Sequence, residues 1–127
     1  MQSALITPPM PPGVDTGTQC PRYSDGQIKR YAVPAETRRT VALRYAAVPG
    51  QTTPAICQYC PTTGSIKWPT LSSGKPAAWV TFVGLQLDHV HPYSLGGSNS
   101  DPDNFVLSCS PCNSRKWNHL EWQGQVG

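Results

Sequence analysis

The sequence predicts one small α+β domain, built from short elements and stapled by a metal ion. Three observations lead there. The chain has 127 residues, enough for one domain and too few for two ordinary ones. It holds 14 prolines and 11 glycines, about a fifth of the total, which implies many turns and little long regular structure. Its five cysteines form two Cys-x-x-Cys pairs, Cys57/Cys60 and Cys109/Cys112, and leave Cys20 alone. An odd count with tight pairs suits a metal site better than a disulfide framework. The two-residue spacing lets both sulfurs of one turn point at one ion. Two disulfides are the alternative. Thiolate-bound zinc implies a reduced, intracellular setting.

Composition excludes several classes. Charged residues are only 13% of the chain, about half the usual share of roughly 25%. No run of about 18 apolar residues exists, so no membrane-spanning helix is expected. Residues 1–10 carry no positive charge and break at Pro8 and Pro9, so no secretory leader is expected. Collagen, coiled coil and a highly charged disordered chain do not fit these counts. A net charge of +3 permits a nucleic-acid partner without demanding one.

The elements follow in order. Residues 1–21 contain five prolines and one charge, Asp15, and read as an extended N-terminal arm able to pack on the domain or on a partner. Residues 22–127 form the single domain. Between residues 22 and 45, Arg22, Lys29, Arg30, Arg38, Arg39 and Arg44 face only Asp25 and Glu36. A basic helix is expected over about 34–47, with Pro34 at its first position and Pro49-Gly50 ending it. Val41 and Tyr45 share one face, with Thr37 a turn earlier. Arg38, Arg39 and Arg44 avoid that face and read equally as a solvated surface or as phosphate contacts. Residues 64–76 are a loop or hairpin. Residues 80–87 read as one strand with Gly84 as a bulge. Residues 91–103 form a long polar loop around Gly96-Gly97. Phe105, Val106 and Leu107 form a short strand. Ser110-Pro111 starts a helix that carries Cys112, Asn113, Arg115 and Lys116 and reaches His119. Trp117 and Trp122 are expected to pack rather than stack on bases.

The C-terminal half reads as one string: Cys57-x-x-Cys60, then Asp88-His89-Val90-His91-Pro92, Gly96-Gly97, Asn104, and Cys109-x-x-Cys112-Asn113-x-x-Lys116. Over about residues 57–119 this order closely resembles the HNH endonuclease family, in the subgroup with four zinc-binding cysteines. The departure is Asn113, which stands where the family usually has a histidine. The resemblance implies a ββα-metal core, also called a His-Me finger, over about residues 57–120.

The resemblance also implies roles. Asp88 would be a ligand for a catalytic Mg²⁺ or Mn²⁺, as a hard oxygen donor. Asn113 would offer a second oxygen to that ion. His89 would be the general base, since neutral imidazole near pH 7 can take a proton from water. Adjacent residues of a regular strand point to opposite faces, so the strand must end or twist at Asp88 and His89. Asn104 would orient the loop and the base. His91 is expected to have no chemical role, and His119 to sit at a helix C-terminus. Cys57, Cys60, Cys109 and Cys112 would bind a structural zinc. Four thiolates leave no open position, so that zinc is not catalytic; in so small a core it contributes directly to folding. Arg115 and Lys116 would contact phosphates, with Arg38, Arg39 and Arg44 adding backbone contacts. Such contacts read little sequence and weaken steeply with salt.

The implied partner is DNA, in a bacterial cytoplasm, with 5′-phosphate and 3′-hydroxyl products. Small free-standing family members often occur in phages or restriction systems, so a nuclease subunit active only within a larger phage packaging or restriction complex is one alternative. The other is a non-catalytic four-cysteine zinc module that binds nucleic acid or protein. Asp88 beside His89, with Asn104 and Asn113 following, argues against it. Whether one strand or two is cut stays open.

Overall fold

Proline and glycine divide the chain into nine short elements, counting two single-turn 3-10 helices at Tyr93–Leu95 and Pro102–Asn104, among residues 5–116, which the computed structural model describes. The expectations for Trp117, His119 and Trp122 lie outside those residues. Helix α1 spans Ala35–Arg44, with Pro34 at its N-cap rather than its first position. It stops before residue 47 because the backbone turns left-handed at Ala46, φ 64°. The amides of Ala46 and Ala47 fold back onto the carbonyls of Leu43 and Ala42, closing the last turn. Pro49-Gly50 plays no part in that stop. The inner face is the expected one: Thr37, Val41 and Tyr45 are buried.

β1 (Thr52–Ile56) and β2 (Thr63–Lys67) form an antiparallel hairpin, Thr52 opposite Lys67 and Ile56 opposite Thr63. Cys57 and Cys60 lie in its turn. β1 contains Pro54 and is not expected from the sequence pattern. That proline is tolerated because β1 is an edge strand. β3 (Thr81–Val83) completes this sheet against β2.

The single strand expected over residues 80–87 is two strands in two sheets. Gly84 is not a bulge but the break, at φ +78°, where a side chain is disfavoured. Beyond it, β4 (Gln86–His89) pairs antiparallel with β5 (Phe105–Ser108), from Gln86 opposite Ser108 to His89 opposite Phe105. Helix α2 (Ser110–Lys116) follows directly. β4, β5 and α2 are the ββα unit. One core joins α1, both sheets and the cysteines: Val41, Tyr45, Ile66, Trp68, Phe105 and Leu107 pack with Cys57, Cys109 and Cys112. Among the described residues, no helix is long and apolar enough to cross a membrane.

The proline-rich arm lies along the loop between β4 and β5. The Gly13 amide donates to the Asp103 carbonyl at 3.1 Å, and Thr16 to Gly96 at 2.9 Å. The Ser98 amide donates back to the Val14 carbonyl at 2.9 Å. The segment after the arm turns at residues 23–27 and is pinned to the same loop, where the Tyr93 hydroxyl donates to the Lys29 carbonyl at 2.6 Å.

Candidate functional site

The two Cys-x-x-Cys turns meet. One is the β1–β2 turn and the other joins β5 to α2. Their four sulfurs all lie within 4.8 Å of one another, and Cys60 Sγ is 3.5 Å from Cys109 Sγ. A tetrahedral zinc with bonds of about 2.3 Å needs sulfurs roughly 3.8 Å apart, so small shifts close the cluster on an ion. None of the four is in a disulfide. Backbone amides of Tyr59 and Cys109 donate to Cys57 Sγ at 3.4 and 3.3 Å, as a thiolate ligand would require. Burial pushes the Cys57 and Cys112 thiols up. Cys60 differs: the Thr62 hydroxyl beside it holds it down to about 6. An arriving metal must therefore expel protons from buried sulfurs. The donor set and its spacing fit zinc.

The other cluster sits at the far end of β4 and β5. β4 ends at His89, and Asp88 and His89, its last two residues, keep regular partners in β5, Val106 and Phe105. The Asp88 side chain is 2% exposed. Its Oδ2 accepts from the Ser108 hydroxyl and its Oδ1 from the Lys116 ammonium, both at 3.0 Å. Burial pushes the Asp88 carboxyl up, and the ammonium pulls it partly back. The His89 ring lies between Phe105 and Tyr93, at centroid distances of 4.7 and 5.6 Å. Its Nε2 is 2.8 Å from Asn99 Oδ1. Burial in this clamp pushes the imidazole below its usual 6.5, so His89 is neutral at pH 7. Asp88, His89 and Asn113 line one open cavity of about 450 Å³, together with Arg30, Tyr93 and Ser110.

Asn104 is fully buried and uses its whole hydrogen-bonding capacity. Its Oδ1 accepts from the amides of Val14 at 2.9 Å and His91 at 2.8 Å. Its Nδ2 donates to the carbonyls of His91 at 3.1 Å and Ser98 at 2.7 Å. It thus ties the arm to both limbs of the loop that follows His89. Gly97 is needed where the loop doubles back, since a Cβ there would lie 1.7 Å from the His91 carbonyl oxygen. His91 itself turns to the Leu95 carbonyl, 3.2 Å from its Nε2.

The basic residues fall differently from expectation. Lys116 does not face solvent: it is 2% exposed and bonds both Asp88 and the His89 carbonyl. Arg44 is held by the Asp103 carboxylate and the Pro102 carbonyl, each at 2.6 Å. Arg39 donates to the Ala78 carbonyl, and the Arg38 guanidinium lies 5.0 Å from the centre of the Phe82 ring. None of these three is among the residues lining the cavity. Arg115 is exposed on α2. The cation that lines the cavity from the basic segment is Arg30, a residue the sequence marks as basic without placing it in the site. Asn99 and Ser108 are not marked in the sequence either. No spacing signal marks any of the three, because their relation to Asp88 and His89 is tertiary.

Residues 57–119, about half of the chain, match the family model described as HNH endonuclease. The matched span holds both clusters and excludes Arg30 and the arm. No curated protein and no solved structure matches the chain.

Proposed function

Because the chain belongs to the HNH endonuclease family, we propose that it is a metal-dependent endonuclease that hydrolyses DNA phosphodiester bonds. The observation that carries the reading is the shared cavity of Asp88, His89 and Asn113, with Arg30 also lining it. His89, neutral at pH 7, takes the proton of the attacking water as general base. Asp88 and Asn113 would hold a divalent ion, Mg²⁺ or Mn²⁺, since both are oxygen donors. Such an ion, when bound, neutralises charge on the scissile phosphate and on the leaving 3′ oxygen. Arg30 and Arg115 bind phosphate oxygens and position the strand without reading bases. Cleavage of the P–O3′ bond leaves 5′-phosphate and 3′-hydroxyl ends. The four-cysteine zinc closes the fold and takes no part in the chemistry. One active site cuts one strand per visit, so two-strand cutting needs a second encounter or a second copy.

A second reading has one observation in its favour. Lys116 already neutralises Asp88, as a divalent ion would. A zinc module that binds nucleic acid or protein without cutting could keep that pair for stability alone. A nuclease that works only within a larger phage packaging or restriction complex would look the same in isolation.

The test is a supercoiled-plasmid assay in Mg²⁺, Mn²⁺ or EDTA, on the wild type and on His89→Ala. The expected result is ion-dependent cleavage that falls by about 10²–10⁴-fold in the variant, with zinc content retained. The nicked-to-linear ratio reports one-strand or two-strand cutting. No cleavage by a folded, zinc-loaded wild type overturns the reading for the isolated chain. Cleavage that survives His89→Ala removes His89 as the base.

A further inference from the structure

We infer that Asn99 is a positioning residue that fixes His89 in its Nε2–H tautomer, leaving Nδ1 as the ring atom that accepts a proton. The catalytic half of this inference rests on the nuclease reading; the tautomer itself does not.

The argument runs through one amide group. Asn99 Nδ2 is 3.0 Å from the Tyr31 carbonyl oxygen, and Asn99 Oδ1 is 2.8 Å from His89 Nε2. A carbonyl oxygen only accepts, so the amide nitrogen must face Tyr31. The reverse orientation would set two oxygen lone pairs against each other. The amide oxygen is then the atom facing the imidazole, and it too only accepts. Nε2 must carry the hydrogen and donate it. A neutral imidazole has one N–H, so the lone pair is on Nδ1.

The rest of the fold holds this relay in place. The ring is flanked by Phe105 and Tyr93. Tyr93 also anchors the far end of the relay, because its hydroxyl donates to the Lys29 carbonyl, two residues before Tyr31. Ser98, the neighbour of Asn99, has its amide on Val14 and its carbonyl on the Asn104 side chain. Two asparagines therefore divide the work. Asn104 fixes the backbone of the loop, and Asn99 fixes the ring. An asparagine 10 residues beyond the base gives no sign of this in the sequence.

The tautomer is read by long-range ¹H–¹⁵N NMR on the full-length, zinc-loaded chain, without DNA or added Mg²⁺ or Mn²⁺, at about pH 8, where an ordinary histidine is neutral. His91 should give the same pattern, since its Nε2 faces the Leu95 carbonyl; His91→Gln and His119→Gln leave His89 as the one remaining signal. The expected wild-type spectrum has a protonated Nε2 and a pyridine-type Nδ1. In Asn99→Ala the Nδ1 signal should move toward a tautomer mixture, and plasmid cleavage should slow by about 10–100-fold, by analogy with the loss when the partner that orients a metal-bound histidine is removed. Asn99→Asp keeps an acceptor against Nε2 while losing the donor to Tyr31; read at a pH where its ring is neutral, it should keep the Nε2–H tautomer. A wild type protonated on Nδ1, or an Asn99→Ala spectrum identical to wild type, overturns the inference. If Asn99→Ala does not fold, the wild-type and Asn99→Asp spectra decide it alone. The expected tautomer in a wild type that cuts nothing supports the inference and overturns the nuclease reading for the isolated chain.

Discussion

β4 and β5 carry a site at each end, and the two are built on opposite plans. Cys109 follows Ser108, which pairs with Gln86; His89 pairs with Phe105 at the other end. Four-residue strands put these ends roughly 10 Å apart. At the cysteine end, two short turns supply all four donors that a tetrahedral zinc needs. At the cavity end, each functional side chain depends on a distant partner. Asp88 leans on Lys116 and Ser108, His89 on Asn99 and through it on Tyr31, and Asn104 on Val14. The difference teaches what each end can lose. The cysteine end should fail as a whole, by unfolding. The cavity end should fail contact by contact, with the fold kept.

The largest expected effect is therefore zinc removal. Structural zinc in small domains contributes about 10–16 kcal/mol of apparent binding free energy, as much as the whole net stability of a typical domain, about 5–15 kcal/mol. A chelator should abolish the folded circular-dichroism signal, and Cys57→Ser or Cys112→Ser should do the same. The thiols pushed up by burial must lose protons to bind, so zinc affinity should rise with pH. Zinc released quantitatively to a chromogenic chelator, with the fold intact, would break the comparison, because the cysteine end would then not be a staple.

The next effect lies at the cavity end. Lys116→Ala leaves the buried Asp88 carboxylate unpaired and should cost about 3–5 kcal/mol in denaturant unfolding. The double variant Asp88→Asn/Lys116→Met should recover part of that loss, since it removes both charges. Lys116→Met alone should show a larger rise in thermal midpoint with Mg²⁺ than the wild type, if an ion and the ammonium compete for one carboxylate. A cost for Lys116→Ala below about 1 kcal/mol would mean that the pair is not tightly held.

This contrast also explains what could be read from the sequence. Each cysteine pair is legible because it is one local turn, whereas Asp88, His89, Asn104 and Asn113 are picked out only by the family resemblance, through their order along the chain. The inner face of α1 is legible locally, as the cysteine turns are, from Thr37, Val41 and Tyr45 at one helical spacing. The break at Gly84 is not, because one glycine permits a bulge or a change of sheet, and only the pairing of β4 with β5 decides. β1 is hidden by Pro54, which only an edge position tolerates. Lys116 reads as a surface charge because nothing in its neighbours announces Asp88 beneath it. Arg30 and Asn99 carry no pattern at all. They join the site because the arm and the following turn fold over the loop, and that packing is long-range.

Arg30 sharpens the comparison from the solvent side. If the cavity takes a phosphate, Arg30→Ala should weaken DNA binding and reduce the slope of log affinity against log salt by about 1. Arg44→Ala should leave that slope unchanged, since its guanidinium is held by Asp103 and Pro102. As a partly exposed pair, Arg44–Asp103 should cost stability by at most about 1 kcal/mol. Equal slopes in Arg30→Ala and wild type would remove Arg30 from the DNA interface.

The smallest effect is the one that separates the two ends by pH. Burial lowers the His89 pKa below 6.5, while Asn99 and Asp88 pull it back up. A lowered folded-state value means that the folded chain prefers neutral imidazole. The corresponding stability is present above the unfolded value of about 6.5 and is lost as pH falls through the folded one. The base is neutral over the same range, so the acid limb of the cleavage profile should lie below pH 6.5, measured at saturating Mg²⁺. Falling pH also protonates the thiolates that hold zinc, and the two losses are told apart by following zinc release in the same samples. Activity that declines while zinc stays bound belongs to the cavity. Activity that declines only in step with zinc release belongs to the cysteine end, and His89 would then titrate outside the range in which the domain is folded.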